Sequence, residues 1–265
     1  MLQFDASLAF LFLERPLLER FAAARSAGFA AVEIHGPESA SAAEIAAAAD
    51  AAGVDIVLCN APVGDLLSGG PGLSGVPGRQ SQFREAVQRV ASFARTIGCR
   101  AVNVGPSRTT SETEREASMA TLAENLRYAG ACLGEHGIRV LVEPVNVHDF
   151  PGVLLQTVDQ AMAVIQASGG ANVSLQFDLY HMQRMQADVL AVLEKNIASI
   201  AHVQIADVPG RSQPGTGQID FAAFFATLDR LGYAGWVGAE YRPAERTERT
   251  LDWLDHYRRG SVRSA

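Results

Sequence analysis

A chain of 265 residues, 48% of them hydrophobic, is long enough to bury a large core as one α/β domain or two small ones. Its formal charge of −7, from 22 basic and 29 acidic residues with Lys195 as the only lysine, excludes the basic stripe of a nucleic-acid binder. No apolar run is long enough to span a bilayer, the start lacks a charged signal region, and Cys59, Cys99 and Cys132 match neither a disulfide framework nor a zinc motif. A soluble cytoplasmic protein with reduced, buried thiols is the expectation.

In chain order, Leu2–Leu8 reads as a strand, and the alanine-rich Glu14–Ala27 as a helix closed by Gly28. Ala31–Ile34 is the second strand. Ser41 and Glu44 form a capping box that opens a helix to about Ala52, and Asp55–Asn60 is the third strand. The Gly-, Pro- and Ser-rich stretch from Ala61 to Gly78 is long for a compact domain, and is expected to be a lid or a substrate-facing loop. Arg79–Ile97 follows as a helix, Arg100–Val104 as the fourth strand, and Glu112–His136 as a further helix. The fifth strand runs from Arg139 to Glu143, where Pro144 stops it, and the fifth helix spans Val153–Ala167. Val173–Asp178, Ile200–Ala206 and Gly235–Tyr241 are strands, alternating with helices over Met182–Asn196, Phe221–Leu231 and Glu245–Arg258. Eight strands alternating with eight helices imply parallel strands with right-handed crossovers, and at this length a single closed (β/α)8 barrel over residues 1–265. An open doubly wound sheet is the runner-up, but no glycine-rich GxGxxG turn follows the first strand to support it.

Strands five to eight end alike. Apolar runs lead to Glu143, Asp178, Gln204 and Glu240, spaced by roughly one strand–helix unit each. At the carboxyl end of a barrel these four side chains converge on one mouth, where chemistry is usually placed. Three carboxylates crowded together repel unless a proton or a cation neutralises them. Carboxylate and amide oxygens as the ligands favour Mg²⁺, Mn²⁺ or Ca²⁺ over zinc.

The segments Leu141–Asn146, Gln176–Gln183, His202–Asp207 and Glu240–Pro243 resemble the hydroxypyruvate isomerase family, a branch of the xylose-isomerase-like barrels that also contains 2-oxo-tetronate isomerases. Pro209–Arg211 with Pro214–Gly217, Leu231–Gly238, Phe10–Phe12 and Asn125–Ala129 are similar to the same family, so the likeness covers nearly the whole chain. The resemblance implies a divalent metal (Mg²⁺ or Mn²⁺) held by Glu143, Asp178, Gln204 and Glu240, with Glu143 and Glu240 as the acid/base pair. It also implies a small hydroxy-oxo acid as substrate, most directly hydroxypyruvate going to tartronate semialdehyde. The sequence departs from the family at Glu33–Ala40 and at Asn103–Arg108, two loops that face the mouth and so bear on which substrate fits.

Such an isomerisation removes a proton from the hydroxyl-bearing carbon beside a carbonyl, passes through an enediol and returns a proton to the neighbouring carbon. A metal-assisted hydride shift is the mechanistic competitor. The substrate carboxylate needs cations, and Arg211 and Arg242 lie just past strands seven and eight; Arg184 reads as a solvated surface residue. His181 and His35, at the ends of strands six and two, are expected to meet substrate. His202 lies two residues before Gln204, on the same side of the strand one layer deeper, and is expected to orient that ligand. A ketose 3-epimerase of the same superfamily would carry His where Gln204 stands, and a DNA-repair endonuclease would need more histidines and a basic surface. A non-catalytic metabolite-binding barrel has no need of three clustered acids. Partners other than a small-molecule substrate are not expected, neither nucleic acid nor membrane; a homo-oligomer is compatible with the sequence, and the alanine-rich helices imply close packing only.

Overall fold

In the computed structural model, which describes residues 1–36, 40–109, 111–185, 188–255 and 257, eight parallel strands close on themselves in sequence order. They are β1 (Gln3–Ser7), β2 (Ala31–Ile34), β3 (Asp55–Asn60), β4 (Ala101–Asn103), β5 (Arg139–Val142), β6 (Val173–Asp178), β7 (Ile200–Ile205) and β8 (Trp236–Ala239). Pairing of β1 with β8, Asp5 opposite Gly238, completes the ring and leaves no edge, so the open sheet does not form. Helices α1 (Leu17–Ser26), α2 (Ala42–Ala52), α3 (Gln80–Thr96), α4 (Glu112–Gly134), α5 (Val158–Ser168), α6 (Leu179–Met185), α7 (Val189–Asn196) and α8 (Phe221–Arg230) connect the strands.

The core lies between the strands and this helical layer. On α3, Phe83, Val87, Val90 and Ala94 fall at helical spacing and are all buried. Alternation along β1 sends Phe4 outward, edge-on to Phe225, Trp253 and Tyr257, and leaves Asp5 and Ser7 on the opposite, interior face. Burying a ring such as Phe4 is worth about 1.5–3 kcal/mol. The capping box is present, with Glu44 N–H donating to Ser41 Oγ and Ser41 N–H to Glu44 Oε2, and Gly53 ends α2 in the left-handed conformation.

Three helices differ most from the sequence reading. The fifth helix starts at Val158, because Thr157 caps it through Gln160 N–H. Residues 153–155 instead fold back, with Leu154 N–H donating to Ser107 and Leu155 accepting from Val145 N–H. The helix expected over Met182–Asn196 is two helices, the second restarted by Asp188 accepting from Ala191 N–H. Of the helix expected over Glu245–Arg258, Thr247–Thr250 is a 3₁₀ turn and residues 252–255 are helical, while residues 256 and 258 lie outside the described residues. Cys59 and Cys99 are buried free thiols and Cys132 is half-buried. No helix among the described residues is long and apolar enough to cross a membrane.

Candidate active site at the mouth of the barrel

A cavity of about 500 Å³ opens at the carboxyl end of the strands, and Glu143, Glu240, Gln204, His181, His35 and Arg211 all line it. Pro144 ends β5 directly after Glu143, and Glu240 follows β8 in the same way, so both acids leave the sheet at one level. Pro62, Val63, Leu66 and Leu67 of the long third loop form an apolar wall over the mouth, as expected of a substrate-facing loop. That wall is tied down by Arg108, which donates to Leu66 O and Gly70 O, and by an ion pair between Asp65 and Arg79.

Glu143 is held asymmetrically. Its Oε2 accepts from Asn103 Nδ2 at 2.8 Å and Gln176 Nε2 at 3.0 Å, while Oε1 lies 3.8 Å from His181 Nε2. Asp178 Oδ1 accepts from the backbone N–H groups of Tyr180 and His181 at the start of α6. Its Oδ2 faces Arg211 at 3.2 Å and His181 Nε2 at 3.5 Å. Arg211 bridges Asp178 and Glu240 and also donates through Nε to the Glu240 carbonyl. Its guanidinium is buried between the rings of Phe10 (4.6 Å) and Tyr180 (5.1 Å). His35, half-exposed, approaches Glu240 Oε1 at 3.5 Å.

The two glutamates are therefore electrostatically unlike. Burial, with the charges of Asp178 and Glu240, raises Glu143 well above the usual carboxylate range. Burial also opposes ionisation of Glu240, but the Arg211 charge and the His35 hydrogen bond outweigh it and bring Glu240 to about 2. Burial keeps the His181 imidazole below its ordinary range despite the carboxylates around it. Asn146 Nδ2 sits 2.6 Å from His181 Nδ1 and also donates to Asp149, fixing the ring.

The four residues marked as metal ligands come to one mouth, but Gln204 is already engaged. Its Oε1 accepts from Gln176 Nε2 at 2.6 Å and its Nε2 donates to Glu33 Oε1 at 2.8 Å. Glu143, Asp178 and His181 each offer a ligand atom within 4.8 Å of the others, and the carboxylate-rich set fits a hard divalent cation. His181, read from the sequence as a substrate contact, thus stands among the groups that could hold a metal. His202 reaches Gln204 only through an intermediary: its Nε2 meets Glu33 Oε2 at 2.9 Å, and Glu33 in turn holds Gln204. Arg242 does not reach the cavity. Its side chain is exposed, and its backbone N–H donates to the Arg211 carbonyl. Arg184 is not a solvated bystander either, since it pairs with Asp149 at 2.6 Å and donates to Tyr180 OH.

Sequence reasoning passed over Glu33, Asn103, Gln176 and Asp207. A signal existed for Glu33, a carboxylate inside the fully buried run Ala31–Ile34, and for Gln176, two residues before Asp178 on the same face of the strand. Asp207 is buried behind the mouth and organises the loop that carries Arg211. Its Oδ1 accepts from the N–H groups of Val208, Gln218 and Ile219, and its Oδ2 from those of Gly215 and Gly217. Glycine is required at 217, because a Cβ there would come within 2.1 Å of Val208 O. Arg211 takes a positive φ of 55° in this loop, which turns its side chain into the barrel.

The family model described as xylose isomerase-like TIM barrel matches residues 21–257. A 2-oxo-tetronate isomerase of Cupriavidus necator is 40% identical over 255 residues, 96% of this chain and 98% of that protein. The hydroxypyruvate isomerase of Escherichia coli is 38% identical over 258 residues, 97% of this chain and 100% of that protein. Among solved structures, a crystal structure of an AP endonuclease, family 2, from Brucella melitensis matches with a TM-score of 0.93 at 38% identity, covering 97% of this chain and 99% of that one.

Proposed function

The chain belongs to the xylose isomerase-like TIM barrel family, and from that premise we propose that it is an isomerase of a small hydroxy-oxo acid in the cytoplasm. Hydroxypyruvate and tartronate semialdehyde (2-hydroxy-3-oxopropanoate) are the first pair to test. The observation that carries the reading is that two glutamates in unlike surroundings line one cavity, Glu143 held by the amides of Asn103 and Gln176 and Glu240 by Arg211 and His35. Two carboxyl groups placed so differently around one substrate can divide the removal and return of its proton.

In this reading Glu240 takes the proton from the hydroxyl-bearing carbon and the carbonyl π-electrons move to oxygen, giving an enediolate; the hydroxyl proton passes to that oxygen, so that the oxygen it leaves becomes the new carbonyl as Glu143 delivers a proton to the former carbonyl carbon. The pair resets through solvent, so the product carries a solvent hydrogen. Arg211, desolvated between Phe10 and Tyr180, receives the substrate carboxylate or the developing enediolate charge. His181, held neutral by burial, donates to a substrate oxygen or serves as a ligand. Glu143, Asp178 and His181, with Glu240 and Gln204 beside them, would hold a divalent cation, Mg²⁺ or Mn²⁺, which when bound would supply Lewis-acid neutralisation of charge on the substrate oxygens. A four-carbon 2-oxo-tetronate is the second reading, supported by the Cupriavidus necator relative and by a cavity of about 500 Å³ with room beyond three carbons.

The test is proton NMR of the purified protein with hydroxypyruvate in D₂O, with Mn²⁺ or Mg²⁺ and then with EDTA. Metal-dependent conversion with deuterium in the product is the expected result. Conversion without deuterium would overturn the solvent-reset proton route in favour of a hydride shift. No turnover of hydroxypyruvate or 2-oxo-tetronates, with or without metal, would overturn the isomerase reading.

A further inference from the structure

Beneath the mouth, the barrel interior is not the branched apolar packing usual in this architecture. Asp5 and Ser7, both on the interior face of β1, are fully buried, and neither Asp5 carboxylate oxygen nor Ser7 Oγ has a hydrogen-bond partner among the described residues. A carboxylate removed from water and left without a donor persists only where a proton or a cation compensates it. Across from Asp5 stand Glu33 and His202, and ligand atoms of Asp5, Glu33 and His202 all lie within 4.8 Å of one another. His202 Nε2 is 2.9 Å from Glu33 Oε2 and 4.0 Å from Asp5 Oδ2. An octahedron with bonds of ~2.1 Å places adjacent ligands about 3.0 Å apart and opposite ligands about 4.2 Å apart.

Two further features point the same way. Gly238, the register partner of Asp5 on β8, has no side chain, and a Cβ there would come within 2.7 Å of Glu33 Oε2 and 3.1 Å of His202 Nε2. Glycine thus leaves open the space into which these ligand atoms point. Charge is also unbalanced. Asp5, Glu33, Glu143, Asp178 and Glu240 are five buried or nearly buried carboxylates of one barrel, against the guanidinium of Arg211. Arg211 pairs with Asp178 and Glu240, not with Asp5 or Glu33.

We propose that Asp5, Glu33 and His202, with Ser7 Oγ beside them, form a second, deeper divalent-cation site distinct from the mouth. An imidazole among oxygen donors suits Mn²⁺, Fe²⁺ or Zn²⁺ better than Mg²⁺. The cluster lies between two openings: Glu33 lines the mouth cavity, and His202 lines a concavity of about 890 Å³ at the opposite end of the barrel, bordered by Arg139, Tyr233 and Trp236. Glu33 joins the two sites, giving one oxygen to this cluster and the other to Gln204.

The test is equilibrium dialysis of the EDTA-stripped full chain against micromolar Mn²⁺, for the wild type, Asp5→Asn and Asp178→Asn, with crystals of the Mn²⁺-loaded wild type for anomalous diffraction. Two ions per wild-type chain, one in each variant, and an anomalous peak between Asp5, Glu33 and His202 are expected. A wild type with one ion and a peak at the mouth alone would overturn the proposal, leaving a proton on Asp5. A peak at the deep position and none at the mouth would uphold it while overturning the reading of the mouth. Should Asp5→Asn fail to fold, the wild-type anomalous map decides by itself.

Discussion

Glu143 and Glu240 end equivalent strands, yet their neighbours give them opposite tendencies: amide donors and two carboxylates around the first, a guanidinium and an imidazole around the second. If these differences serve proton transfer, Glu143→Gln and Glu240→Gln should each lower kcat by at least about 100-fold while leaving the circular dichroism spectrum unchanged. Retention of more than a tenth of wild-type turnover by either variant would remove it from the chemistry. Both glutamates were legible because an apolar run meeting an acid, with a proline next or close behind, is a local pattern. Glu33 carried a local signal, an acid in an apolar run, but its role depends on His202 and Gln204, which folding brings opposite it from more than 160 residues away. Arg242 misled for a related reason. Its sequence position is right, but the backbone there turns the side chain to solvent and the work of a buried cation falls to Arg211.

Among the elements, the loop from β7 to α8 is the one whose shape depends on a single side chain. Five backbone N–H groups converge on Asp207, and an Asn oxygen can serve only one of the two sets. Each buried donor left unpaired costs about 1–3 kcal/mol. Asp207→Asn is expected to lower Tm by several degrees and, by loosening Arg211, to raise KM more than it lowers kcat. A melting temperature and KM within error of the wild type would show that the loop holds itself by other contacts. No periodicity announces such a loop; Pro209–Gly217 looks merely flexible until the acid at its centre is seen. Helix boundaries were legible where a cap is written locally, as at Ser41 and Glu44, and were missed at Thr157 and Asp188, where an apolar pattern runs on through the restart.

At the scale of the molecule, strict alternation of strand and helix was enough to read a barrel, because each unit must cover the next and eight of them close. A chain that gathers five carboxylates inside that barrel should depend on cations for its stability. At a free Mn²⁺ concentration 100-fold above Kd, binding to the folded state alone adds about 2.7 kcal/mol, equivalent to a Tm rise of about 5–10 °C in a chain of this size. Differential scanning fluorimetry with Mn²⁺ and with EDTA measures it, and coincident melting curves would contradict metal binding at either position.

The order of closure also divides labour along the gene. Glu143, Asp178 and Glu240 all follow the midpoint of the chain, while Phe10, Glu33, His35 and the Pro62–Leu67 wall precede it. Among the contacts that cross from the earlier half to the later one, two are side-chain amide–carboxylate hydrogen bonds at the mouth, Glu33 to Gln204 and Asn103 to Glu143. The later half is thus a reactive floor and the earlier half an interchangeable gauge of what may stand on it. A graft of the first four strand–helix units from a relative inherits that relative's choice of substrate, provided it brings a glutamate and an asparagine to those two seams.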